Sequence, residues 1–169
     1  MPDVVAFGAS KLEPVWVAFL SVTATGAQSR IEVMNPNDCL NMNSVPTDDS
    51  WEVLHGRLVS NEVCCIQVYQ DVPQTLGVRL VAPRFCGHVL NQWTCSVDCS
   101  EDFARRLYRL CKLVEGITFV SHTIEEEPEL DVEQVSVDTY PWEPWDAFRL
   151  KSAAVRRADG TWEERTGPA

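Results

Sequence analysis

Apolar residues recur at helical spacing most clearly in residues 100–115. Asp98 and Ser100 are both suitable N-caps for this stretch, and Gly116 follows it as a residue that often ends helices. The apolar positions on its shared face are Phe103, Leu107, Leu110, Cys111 and Val114. The pattern predicts one amphipathic helix.

Most other apolar runs are short and rich in β-branched or aromatic residues, which favours strands. We expect strands at residues 15–23, 30–34, 62–70, 76–81, 88–97, 117–124 and 134–139, with 30–34 as the hairpin partner of 15–23. Residues 51–60 are ambiguous, and we interpret them as a strand interrupted near Gly56. The sequence Ala158-Asp159-Gly160-Thr161 predicts a C-terminal β-hairpin with arms at 155–157 and 162–164.

Strands followed by one helix and then more strands are typical of an α+β fold. We expect a single domain over residues 1–165 and a frayed tail at 166–169. Its sheet should be mostly antiparallel or mixed, with about six to eight strands. The main helix should pack on one face of that sheet.

Negative charge is concentrated in one region. The chain has a net charge of -11, and residues 113–148 hold ten of its 25 acidic residues and no Lys or Arg. The remaining residues include 15 acidic and 14 basic side chains. Because like charges at this density repel one another, they should be solvated or face a cationic partner.

The candidate binding site is the acidic segment, which we define as residues 125–146. Its proposed contact residues are Glu125, Glu126, Glu127, Glu129, Asp131, Glu133, Asp138, Tyr140, Trp142, Glu143, Trp145 and Asp146. The aromatic rings could anchor an interface while the carboxylates supply charge complementarity. In the alternative interpretation, the tryptophans close the core beneath a proline-rich turn and the glutamates form only a solvated face.

This pattern favours a non-enzymatic protein that engages a basic protein partner. An inhibitor or immunity-type protein that blocks a cationic active site, such as that of a nuclease toxin, would fit the size and charge. A structural component of a larger assembly is a further alternative. We expect no membrane contact, since the longest apolar run is far shorter than a span, and no direct nucleic-acid ligand.

A cysteine-dependent enzyme is the main competing interpretation. Cys99 precedes the predicted helix, where the helix dipole would favour a thiolate, and Cys86 is a second candidate nucleophile. A histidine would have to supply the base, and the chain has His55, His88 and His122. No local catalytic motif accompanies either cysteine, so we assign no catalytic residue.

Residues of the types that bind zinc occur close together at Cys86, His88, Cys95 and Cys99. Their spacing departs from the paired motifs of zinc sites, so we expect neither a metal nor another cofactor. The seven cysteines and the absence of an apparent signal peptide favour reduced thiols and a cytoplasmic location. The basic residues of the predicted helix (Arg105, Arg106, Arg109 and Lys112) are interpreted as its polar face, balanced by nearby acids.

Overall fold

A computed structural model of the protein describes residues 3–23, 29–37, 43–72, 74–85, 88–89, 91–124 and 149–166. Within these residues the chain forms three helices: α1 (Leu12–Val22), α2 (Trp51–Val59) and α3 (Glu101–Cys111). It also forms a nine-stranded antiparallel sheet and a separate two-stranded pair. The expected α+β fold class is confirmed.

The sheet has the N-terminal strand near its centre. In chain order the strands are β1 (Asp3–Ala9), β2 (Ser29–Met34), β3 (Val45–Pro46), β4 (Cys65–Gln70), β5 (Leu76–Val81), β6 (Arg84–Phe85), β7 (His88–Val89), β8 (Trp93–Cys99), β9 (Ile117–Ile124), β10 (Arg149–Arg156) and β11 (Trp162–Thr166). The spatial order is β11-β10-β9-β1-β8-β5-β4-β2-β3, and β6 pairs only with β7. Strand β1 therefore lies between β8 and β9.

The main core lies between one face of the sheet and the three helices. Because side chains alternate across a strand, one face of β1 presents Val5, Phe7 and Ala9 to this core. Helix α1 contributes Phe19 and α3 contributes Leu107 to the same cluster. Helices α1 and α2 are joined by edge-to-face aromatic contacts, since Trp51 lies edge-on to both Trp16 and Phe19.

Residues 15–23 were predicted to be a strand, and that prediction is wrong because they form most of α1. The helix is apolar on almost every side, with Glu13 and Ser21 as its polar residues, so its sequence lacks the alternation that marks an amphipathic helix. Its N-cap residue, Lys11, makes no side-chain capping hydrogen bond. The one local signal was Pro14, which is tolerated in the first turn of a helix.

Residues 51–60 were also predicted incorrectly, because they form α2. The Ser50 side chain caps this helix by accepting a hydrogen bond from the Val53 N–H at 3.3 Å. Leu54 and Leu58, one turn apart, face the core. Strand β2 consequently pairs with β3 and β4, and not with residues 15–23 as expected.

The predicted helix at 100–115 is confirmed as the shorter α3. Ser100, rather than Asp98, is its N-cap, and its side chain accepts a hydrogen bond from the Phe103 N–H. The buried face is rotated from the predicted one, since Tyr108 is buried and Leu110 is exposed. This rotation places an aliphatic side chain on the outer surface of the helix layer.

The remaining strand predictions divide into three groups. Strands β5 and β9 have the predicted bounds, and the C-terminal hairpin is confirmed as β10 and β11. The predicted strand at 88–97 is two strands, β7 and β8, which belong to different sheets. Residues 134–139 and 167–169 lie outside the described residues, and Thr166, placed in the predicted tail, belongs to β11.

Candidate functional site

The acidic segment is attached to the sheet at both of its ends. All twelve candidate binding residues lie outside the described residues, but the residues that flank residues 125–148 are described. Ile124, the last residue of β9, is the register partner of Arg149, the first residue of β10. Because β9 and β10 are hydrogen-bonded neighbours, residues 125–148 leave and re-enter the sheet at one point.

A charged cluster with two buried and two more exposed members lies beside this attachment point. We define it as Asp3 of β1, His122 of β9, Lys151 of β10 and Glu101 of α3. Asp3 Oδ1 lies 2.8 Å from the Lys151 ammonium and 3.1 Å from Nε2 of His122. The side chains of Asp3 and His122 are both nearly inaccessible to solvent. The cluster therefore joins three adjacent strands by side-chain interactions, in addition to their backbone hydrogen bonds.

The cluster continues to the N-terminus of α3. Glu101 Oε1 lies 3.2 Å from the Lys151 ammonium and 2.6 Å from the guanidinium of Arg105. Hydrogen bonds from Lys151 and Arg105 lower the pKa of the Glu101 carboxyl. Burial alone would lower the pKa of Lys151, but its hydrogen bonds to Asp3 and Glu101 outweigh that effect and raise it. Lys151 is thus held as a cation between two carboxylates.

His122 is held in its neutral form. Burial lowers the pKa of the ring, and the hydrogen bond with Asp3, which favours protonation, only partly offsets this. A carboxylate can only accept hydrogen bonds, so the Nε2–H of His122 donates to Asp3. The cation of Lys151 shares the same carboxylate oxygen and disfavours a second positive charge beside it.

A second polar group borders the cluster on the side of β11. The Tyr108 ring centroid lies 6.4 Å from that of His122, and Lys112 forms an ion pair with Glu164. Burial is the main cause that raises the pKa of Tyr108 to about 12, so its hydroxyl stays protonated at neutral pH. These interactions attach α3 to the edge strand β11.

Cys99, the leading candidate nucleophile, is a buried thiol beside the cluster. Its Sγ lies 3.6 Å from the backbone carbonyl oxygen of Asp3, to which the thiol donates. Burial and then the charges of Asp98 and Asp3 raise the pKa of Cys99 to about 12. A reactive cysteine needs the opposite shift, so this environment disfavours a thiolate at neutral pH.

The other candidate cysteines and histidines do not form a reactive group among the described residues. Burial raises the pKa of both Cys95 and Cys111, which lie in the core between the sheet and α3. The side chains of Cys86 and His88 lie outside the described part of the chain. In the described ranges, no group of three or more His, Cys, Asp or Glu side chains is placed to hold a metal ion.

The basic residues of α3 are only partly balanced by acids. Arg105 pairs with Glu101, and Lys112 pairs with Glu164. The guanidinium of Arg106 lies over the Phe103 ring, 5.8 Å from its centroid. Neither Arg106 nor Arg109 is within ion-pair distance of an acidic side chain in the described residues.

Sequence reasoning missed the charged cluster because its members are far apart in the chain. Asp3 and Lys151 are separated by almost the whole sequence and meet only because β1 and β10 flank β9. His122 was noted as a strand histidine, but its partner could not be inferred. The signal in the sequence was one charged residue in each of two apolar strands, Asp3 and Lys151. Burying a charge costs free energy unless the charge is paired.

Comparison of the chain with protein-family models, curated proteins and solved structures found no match. None of the described helices has the length and apolar character needed to cross a lipid bilayer.

Proposed function

We propose that the protein is a non-enzymatic binding protein that engages a basic protein partner through the acidic segment. The observation that carries the proposal is the charge distribution. Outside residues 113–148 the chain is nearly neutral, with 15 acidic and 14 basic residues, so its net charge of -11 arises almost entirely within that stretch. A field concentrated in this way steers an oppositely charged partner towards one site.

The attachment of the segment supports this proposal. Both ends are fixed on adjacent strands by the Ile124–Arg149 pair, and the charged cluster ties these strands to β1 and α3. Closing a chain segment at both ends restricts the positions it can occupy, which reduces the entropy lost when it binds. The segment is thereby suited to present its carboxylates and aromatic rings together.

An inhibitor or immunity-type role is the specific form of the proposal. The carboxylates would occupy a cationic active site in place of substrate phosphates, and the aromatic rings would bury against its rim. The raised pKa of Cys99 weighs against the competing cysteine enzyme. The proposed setting is the cytoplasm, where thiols remain reduced.

The test compares two variants with the same change in net charge. One replaces Glu125, Glu126 and Glu127 with Gln in the acidic segment. The matched control replaces three exposed acids outside residues 113–148: Glu13 and Glu52 with Gln, and Asp48 with Asn. The wild-type protein, immobilised as bait, should retain a basic protein from an extract of the native host at low salt and release it at high salt.

The partner's affinity should then fall roughly tenfold or more for the segment variant and change little for the control, because charges at an interface act over about 10 Å at 0.1 M salt. Two results contradict the proposal: a partner whose retention ignores salt, or equal binding by the two variants. Failure to retain any basic protein from the native host also counts against it.

A further inference from the structure

The outer side of the helix layer carries an apolar groove between α1 and α3. The groove has a volume of about 290 Å³ and is lined by Ser21, Val22, Phe103, Arg106, Leu107 and Leu110. Contact between Gly116 and Pro14 brings the end of α3 close to the start of α1, so the two helices run antiparallel along the groove. On α3 the lining runs from Phe103 to Leu110, about two turns of the helix, and on α1 it consists of the last two residues.

Exposed aliphatic side chains also occur on α1 and at the end of α3, the two elements that border this groove. Leu113 is 82% exposed and Val17 is 59% exposed, and Leu110 lies partly exposed between the groove and solvent. Phe103 and Leu110 lie two turns apart on α3, Leu113 follows the end of that helix, and Val17 and Ser21 are one turn apart on α1. Aliphatic side chains gathered in this way on a soluble domain commonly mark a contact surface.

The composition of α1 also indicates a contact surface on the outer side of the helix layer. A helix that is apolar on nearly all sides is normally buried on nearly all sides. Helix α1 packs one side on β1 and β8, yet its opposite side exposes Val17 and Leu20. The sequence of this helix is therefore suited to contact with another polypeptide segment on its outer side.

The charges beside the groove indicate the charge of the segment that would bind there. Arg106 lines the groove, and Arg109 lies on the exposed side of the same helix. Both lack an ion pair with an acidic side chain among the described residues. A second copy of the same groove would bring these cations against each other, whereas an acidic segment would neutralise them.

We propose that the α1–α3 groove binds an amphipathic, acidic helix of a partner protein. Its apolar side chains would enter the groove between Phe103 and Leu110 and cover Val17. Its carboxylates would pair with Arg106 and Arg109, since guanidinium groups bind carboxylates in two-pronged geometry. This is the helix-in-groove mode of recognition, in which side chains at positions i, i+3 or i+4, and i+7 provide the anchors.

The proposed groove interaction does not depend on the acidic segment. It uses a different surface and a partner of opposite charge, so either proposal can fail while the other stands. The two surfaces together would allow the protein to join a basic and an acidic component of one assembly.

The probe is a synthetic helical peptide of about 16 residues, with leucines along one face and glutamates on both flanks. A second peptide carries lysines in place of the glutamates. A third keeps the glutamates and replaces the leucines with glutamines. Binding to the full-length protein is followed by amide chemical shifts, which identify the contacted elements, and by fluorescence anisotropy, which gives the affinity.

The glutamate–leucine peptide should shift amides of α1 and α3, and the other two peptides should not shift them. Replacing Arg106 and Arg109 with Glu should weaken its binding roughly tenfold or more, because favourable contacts become repulsive. Replacing Leu110 and Leu113 with Gln should weaken it by a comparable factor through loss of apolar contact.

Matched variants away from the groove keep the test specific. Arg84→Glu reverses an exposed charge on β6, and Val53→Gln removes an exposed aliphatic side chain from α2. Both should leave peptide affinity within about twofold, as expected for substitutions at independent sites.

Several outcomes would overturn the proposal. One is an acidic peptide that leaves the α1 and α3 amides unshifted, and another is equal binding by the lysine peptide at these helices. A dimer that forms through Leu110 and Leu113 as concentration rises would assign the groove to a second copy. Peptide binding that strengthens after neutralising Glu125, Glu126 and Glu127, and not in the control variant with the same change in net charge, would assign it to the acidic segment of the same chain.

Discussion

Removing the carboxylate of Asp3 should destabilise the protein more than removing the carboxylate of an exposed acidic residue. Asp3→Asn keeps the shape of the side chain but removes the charge that Lys151 and His122 both contact through one oxygen. Asp3 is almost completely buried, so water cannot take the place of the lost interactions. The ammonium of Lys151 would then keep Glu101 as its acidic partner within the charged cluster.

The expected cost follows from the geometry. Removing one member of a buried ion pair typically costs about 3–5 kcal/mol, because the remaining charge is left uncompensated. Lys151 is partly exposed and retains Glu101, which reduces that figure to about 2–4 kcal/mol. For a protein of this size, a loss of that order lowers the melting temperature by roughly 4–16 °C.

Urea unfolding followed by circular dichroism measures this cost directly. The midpoint should fall for Asp3→Asn while the slope of the transition stays unchanged. Asp48→Asn, at an exposed aspartate, is the control and should stay within about 0.5 kcal/mol of wild type. A loss below about 1 kcal/mol for Asp3→Asn would refute a buried, paired carboxylate.

A double-mutant cycle with Lys151→Met separates the ion pair from other effects. If the 2.8 Å contact is energetically coupled, the double variant should be more stable than the sum of the two single losses predicts. Coupling of about 1–3 kcal/mol is typical of directly contacting charges. Strict additivity would mean that Asp3 acts on the fold without acting through Lys151.

Two further predictions concern close packing and pH. Gly8→Ala should lower the free energy of unfolding by about 1–3 kcal/mol, because its Cβ would overlap the Phe119 ring and lie 2.9 Å from the Trp93 carbonyl oxygen. The control Gly77→Ala, whose nearest neighbour would be 3.5 Å away, should show no such loss in thermal unfolding, and equal melting temperatures would contradict the packing argument. The lowered pKa of His122 means that the unfolded chain binds its proton more readily, so stability should fall as pH drops below about 6.5. The urea midpoint of the wild type should fall between pH 7.5 and about 5, and His122→Gln should reduce this dependence on pH. An unchanged pH dependence in the variant would contradict the role given to His122.

The sequence predicted elements whose signals are local. Strand β9 was correctly bounded because residues 117–124 are β-branched and apolar and follow Gly116. Helix α3 was correctly placed because Ser100 and the spacing of its apolar residues are adjacent in the chain. These features depend on backbone preferences within a few residues, so no tertiary information was needed.

Helix α1 was missed because its pattern depends on its surroundings. Val15, Val17 and Val22 favour a strand when considered alone, and the helix forms because the sheet and both neighbouring helices bury its apolar sides. Tertiary packing thus outweighs local propensity at these residues. The exposed position of Val17 also explains why no polar face marked the helix in the sequence.

The charged cluster was beyond sequence reasoning for a topological reason. The chain places β1 between β8 and β9, and only this order brings Asp3 next to His122 and within reach of Lys151. Residues so far apart in sequence carry no spacing that could reveal the contact. A charged residue near an apolar strand indicates that a partner exists but not which residue supplies it.

Helix α3 connects the two proposed binding surfaces. Its first residue, Glu101, pairs with Lys151 beside the attachment point of the acidic segment, while Arg106 and Arg109 occupy its outer side near the groove. The charge of Glu101 is thus neutralised at the start of α3, while Arg106 and Arg109 have no ion pair with an acidic side chain in the described part of the chain. The Glu101 carboxylate is held by Lys151 and Arg105 and does not pair with Arg106 or Arg109. The same ion pairs therefore stabilise the strands that hold the two ends of the acidic segment, and they leave Arg106 and Arg109 available to the proposed partner.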